Sequence, residues 1–183
     1  MEQITENTID LSNFALPFED LLSIFGQVEG IKMAPRAKNA GESLEQELHK
    51  VLEPLIYSGK RLHTEMLDMV MRDPTITLTE AEYVEISKVS DEKFVELALF
   101  AIAADLDMRI EDLDEYFHLS NSAWECFKEA SGITDFMKIY ATGTKNLLSA
   151  TSVRQILRIM GVRFLGVAGM VYMSVMFTLC MTG

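Results

Sequence analysis

The chain has 183 residues, 49% of them hydrophobic, which is enough for one packed domain plus a further element and argues against wholesale disorder. Its formal net charge of −12 would repel phosphate backbones, so no nucleic-acid partner is expected. Two cysteines, Cys126 and Cys180, cannot make a disulfide framework or a zinc site by themselves, and they suit a reducing, intracellular setting.

The charge is unevenly distributed. All 28 acidic residues lie at or before Asp135, and eleven bases accompany them, leaving −17 on residues 1–135. The remaining 48 residues carry no acid and five bases, Lys138, Lys145, Arg154, Arg158 and Arg163. The first 25 residues include Glu2, Glu6, Asp10, Glu19 and Asp20, the wrong sign for the leading region of an export signal.

Taken in order, residues 1–13 are polar and read as irregular. Pro17 opens a short helix through Phe25, with Glu19 and Asp20 in its first turn where the helix dipole favours anions. Gly26 and Gly30 are expected to end it. Residues 30–41, GIKMAPRAKNAG, read as an exposed loop or hinge. Ser43 and Gln46 form a capping box for a helix to about Tyr57, which Pro54 should kink or restart. After Gly59, Leu62, Met66, Met69 and Val70 define another helix that stops before Asp73-Pro74. Residues 75–79, TITLT, look extended but are too short to propose a sheet.

Thr79 and Glu82 form a second capping box, for a helix to about Lys88. Ser90 starts the next, whose interior from Phe94 to Ala104 has Glu96 as its single polar interruption. Eleven residues are too few to cross a bilayer, so this is predicted to be the central core helix, with Phe94, Leu97 and Phe100 inside. Short helices follow over 110–119, 122–130 and 135–141. From about Ser152 a last amphipathic helix sets Val153, Ile156, Leu157 and Met160 against the pair Arg154 and Arg158, in the manner of a collar at a membrane interface.

Residues 164–183, FLGVAGMVYMSVMFTLCMTG, contain no charge. A helix of twenty residues rises about 30 Å, the thickness of a bilayer's hydrocarbon core. Its hydroxyls can bond carbonyls one turn back and are cheap to bury. Gly161, Gly166 and Gly169 allow close helix packing, and Gly166, Met170, Ser174 and Thr178 recur every fourth residue as a face for lipid or another helix. The alternative is an arm buried between protein subunits. Arg154, Arg158 and Arg163 precede the stretch. They would bind lipid headgroups and hold that flank on the cytoplasmic side.

Constellations with catalytic or metal-binding potential fail in detail. The acids Asp105, Asp107, Glu111, Asp112, Asp114 and Glu115 do not fit a calcium loop, because Ile110 stands where glycine is required and Tyr116 where the bidentate glutamate belongs. Glu115 and His118 make one Glu-x-x-His step where di-iron bundles need two. A helix-turn-helix reading of 91–130 would give an acidic recognition helix. Met170, Met173 and Met176 near Cys180 could offer sulfur to Cu(I), but methionine is also a common gap-filling residue. No phosphate loop or nucleophile elbow occurs, so no enzyme activity, metal or cofactor is expected.

The resulting expectation is an all-α protein with three parts. An acidic helical domain over 1–135 is followed by a basic juxtamembrane segment over 136–163 and a C-terminal apolar span over 164–183. Its expected role is a non-enzymatic interaction or scaffold protein, tethered to a membrane with its acidic domain cytoplasmic and binding a protein partner. One alternative is a structural or assembly subunit, such as a virion component, with 164–183 buried among neighbouring subunits. A second is a small oligomeric pore-former associating through the Gly166 face. A homo-oligomer is expected.

Overall fold

The computed structural model describes residues 8–33, 44–108, 134–141 and 147–160. These form six α-helices, one 3-10 turn and one two-stranded sheet: β1 (Thr8–Asp10), the 3-10 turn (Leu11–Asn13), α1 (Phe18–Met33), α2 (Leu44–Arg72), α3 (Glu80–Ser87), α4 (Asp91–Met108), α5 (Thr134–Ala141), β2 (Leu147–Ser149) and α6 (Ala150–Met160). The fold is therefore mostly helical, with a small sheet where none was expected.

That sheet corrects the reading of residues 1–13 as irregular, as far as residues 8–13 are concerned. β1 and β2 pair antiparallel with Ile9 opposite Leu148, and both side chains are buried. Asp10 then turns the chain, its Oδ1 accepting from Ser12 N at 3.0 Å. Leu11 is driven fully into the core against α4. A three-residue strand has no periodicity to read, so only its distant partner defines it.

Two expected helix breaks do not occur. α1 continues through Gly26 and Gly30 to Met33, so residues 30–33 are helix rather than the start of a loop. Phe18, Leu21, Ile24, Phe25 and Val28 keep one buried stripe along it, while both glycines sit on its exposed side. Packing of that stripe outweighs roughly 1 kcal/mol of lost propensity per glycine. α2 likewise runs unbroken through Pro54 and Gly59. Pro54 is exposed, where water can solvate the carbonyl it leaves without a donor. Gly59 is buried against α4: a Cβ built on it would lie 1.8 Å from the Phe94 carbonyl oxygen. The glycine marks a close approach of two helices rather than a terminus.

α2 and α4 form the central pair. In α4 every side chain from Val95 to Ala104 is essentially inaccessible, including Leu97 and Phe100 at 0% exposure. Phe100 meets Phe136 of α5 edge-on, with ring centroids 5.5 Å apart. α6 begins at Ala150, two residues earlier than its periodicity suggested, because Ser149 Oγ accepts from Ser152 N at 3.3 Å and caps it. Its apolar face, Val153, Ile156 and Leu157, is buried, and α6 packs on α2. That face belongs to the protein core. A single buried cluster extends from Ile9 to Leu157 and so includes residues on both sides of the expected boundary at 135/136.

Among the described residues no helix is long and apolar enough to cross a membrane. The span expected over 164–183 lies outside them, as do the remainder of the expected loop (34–41), Ser43, and the helices expected over 110–119 and 122–130.

Candidate functional site

Among the described residues, one group of polar side chains with tertiary partners lies around α3, reaching it from α2 and α6. α3 is opened by the Thr79–Glu82 box: Glu82 N donates to Thr79 Oγ1 at 3.2 Å, and Thr79 N donates to Glu82 Oε2 at 3.0 Å. The other carboxylate oxygen of Glu82, Oε1, pairs with the Arg158 guanidinium and lies 3.7 Å from Arg154 Nη2. Arg154 Nη2 also lies 3.4 Å from the Thr77 carbonyl, to which it donates. The Thr79 backbone N–H, followed by the bond and charge of Arg158 and the charge of Arg154, holds the Glu82 carboxyl down to about 2. One side chain therefore caps α3 and docks α6 onto it.

A second tie lies at the other end of α3. His63, on the buried side of α2 with Met66 and Val70, donates from Nε2 to the Ile86 carbonyl at 2.8 Å. That carbonyl is in the last turn of α3, which has no helical donor left for it. The ring also meets Phe94 edge-on at 5.4 Å between centroids. Burial pushes the His63 pKa down, partly offset by the bond to Ile86. On α4, Lys93 and Glu96 are buried. Burial lowers the Lys93 pKa, while Glu96 and Glu85 oppose the shift.

The N-terminal end of α4 is fastened to α2 by Asp91, whose Oδ2 is 2.7 Å from His49 Nε2 and whose Oδ1 is 4.0 Å from Lys60 Nζ. On the opposite side of α2, Ser58 donates to the Phe14 carbonyl. The Arg61 guanidinium lies 5.2 Å from the Phe14 ring centroid and 6.0 Å from that of Tyr57. Among the described residues four large apolar side chains stay in water, Tyr57 at 66%, Met71 at 59%, Tyr83 at 42% and Val84 at 41% exposure. Two of the four are on α3, which buries only Ile86.

These placements bear unevenly on the residues singled out from sequence. Phe94, Leu97 and Phe100 lie in the core of α4. Arg154 and Arg158 face Glu82, an engagement the sequence pattern did not disclose. Arg163, Gly166, Met170, Ser174 and Thr178 lie outside the described residues, with Glu115, His118, Cys126 and Cys180. Asp105, half-buried near the end of α4, is the one side chain of the acidic cluster that is described. Among the described residues no group of three or more His, Cys, Asp or Glu side chains could hold a metal ion.

Sequence reasoning missed His63 and the second role of Glu82. For His63 a signal existed, since it shares the spacing of Met66 and Val70 and so falls on the buried stripe. For Glu82 the capping box was legible, but its arginine partners arrive from more than seventy positions away. Compared with known protein families, with curated proteins and with solved structures, the chain matches none.

Proposed function

We propose that this chain is a non-enzymatic helical interaction protein whose folded body engages other proteins on the cytoplasmic side of a membrane, with residues 164–183 as the attachment. The observation that supports the reading is the junction. α6 is built into the body through its buried apolar face and through Glu82, and it ends at Met160, just before the charge-free stretch begins at Phe164. An apolar helix of about 30 Å would then follow closely on a helix that is packed into the core. Alkaline extraction of membranes from cells making the full chain tests this. The protein should stay with the lipid pellet, and release into the supernatant as a species monodisperse without detergent would refute it.

One observation favours a second reading, an assembly subunit whose 164–183 arm is covered by neighbouring copies. Arg154 and Arg158 are engaged by Glu82 and Thr77, which leaves α6 less suited to collecting lipid headgroups. A monodisperse oligomer purified without detergent would support this reading over the first.

A further inference from the structure

We infer that the body binds a second copy of itself, the exposed stripe of α2 lying antiparallel on the outer face of α3 in the other copy. Glu53, Tyr57 and Arg61 are all exposed and recur every fourth residue on α2. Glu80, Val84 and Lys88 are likewise exposed at the same spacing, along α3 and just past its end. Each triplet spans roughly 12 Å, at 1.5 Å per residue. Read in opposite directions, one runs acidic, apolar, basic and the other basic, apolar, acidic. Antiparallel placement therefore sets Glu53 on Lys88, Tyr57 on Val84 and Arg61 on Glu80 in one register.

Three further features fit these surfaces to each other. None of the four charged residues has an ion-pair partner among the described residues, and the Arg61 guanidinium has only the rings of Phe14 and Tyr57 against it. Ring faces hold a guanidinium in place while leaving its N–H donors to a carboxylate. Tyr57, Tyr83 and Val84 supply the apolar centre that such a contact needs, and they are three of the four large apolar residues left in water among the described residues. α3 is already fixed at both ends by Glu82 and by the Ile86 carbonyl, so little ordering entropy is lost when it docks. The two surfaces differ from each other, so unless symmetry closes the pair, the pair keeps one free surface of each kind and further copies can add. The contact is small and charge-rimmed, which places it among weak, salt-sensitive interfaces.

The inference concerns the body and is independent of whether 164–183 meets lipid. Sedimentation velocity of the full chain in detergent micelles, over rising protein concentration and at low and high salt, tests it. Self-association is expected, weakening with salt. Arg61→Glu and Glu80→Lys should each reduce the association constant about tenfold, and the double variant should recover most of the loss. All four positions of the charge pattern are exposed, and circular dichroism of each variant checks that the fold is retained. Glu53→Lys and Lys88→Glu give the same test at the other end of the register. Association unchanged by either single variant, or a double variant no tighter than the singles, would overturn the inference. Oligomers held together by 164–183 would give the former result and leave the membrane proposal standing.

Discussion

Replacing Gly59 by alanine sets two physical effects against each other with opposite signs. Glycine inside a helix costs about 0.5–1 kcal/mol relative to alanine, so helix propensity alone makes Gly59→Ala stabilising. The structure predicts the reverse. The added methyl would lie 1.8 Å from the Phe94 oxygen, 2.4 Å from its carbonyl carbon and 2.7 Å from its Cα. Ordinary contact begins near 3.4 Å, so backbone must retreat by about 1.6 Å, and no side-chain rotation relieves it. That separation falls on the central α2–α4 pair. Overpacking a tight core costs about 1–3 kcal/mol, which set against the propensity gain leaves a net loss of up to about 2.5 kcal/mol. Gly26→Ala is the matched control: it is in α1, and a Cβ added there would meet nothing within 4 Å, so it should gain about 0.5–1 kcal/mol. Urea unfolding of the full chain, with m-values compared to confirm a common transition, measures both. If Gly59→Ala stabilises as Gly26→Ala does, the close approach of α2 and α4 is wrong.

Truncating Leu97 or Phe100 to alanine should cost about 2–5 kcal/mol in the same assay, and a loss below about 0.5 kcal/mol at both would remove α4 from the centre of the core. Thr79→Ala removes the hydroxyl that caps α3 and should cost about 1 kcal/mol, with no loss expected if the cap is only incidental. Exchanging the partners of the α3–α6 tie, Glu82→Arg with Arg158→Glu, should restore part of the protease resistance of α6 lost in either single variant. Equal loss in all three would show that the pair does not dock the helix. Because the folded His63 pKa lies below its ordinary 6.5, the unfolded chain binds more protons as pH falls through that range. The stability His63 contributes is therefore complete above about 6.5 and is lost on going down through 6.5 to the lower folded value. Replacement by phenylalanine should flatten that limb of the pH–stability curve.

The sequence by itself determined what local pattern controls. Apolar period and the Thr79–Glu82 spacing located the capping box of α3, the buried interior of α4 and the apolar face of α6, because capping and amphipathic period act within a few residues. Where two local signals conflicted, as at Gly26, Gly30, Pro54 and Gly59, only the tertiary structure decided. Whether a glycine ends a helix or lets a neighbour approach depends on what lies across from it, and for Gly59 that is the Phe94 carbonyl, supplied from 35 positions away. The sheet between Thr8–Asp10 and Leu147–Ser149 is likewise invisible locally, since three residues carry no period and their partner lies at the far end of the body. The arginines of α6 show the same division. Their i,i+4 spacing identified a charged helix face, but the carboxylate that pairs with it, Glu82, is brought there only by the packing of α3 beside α6.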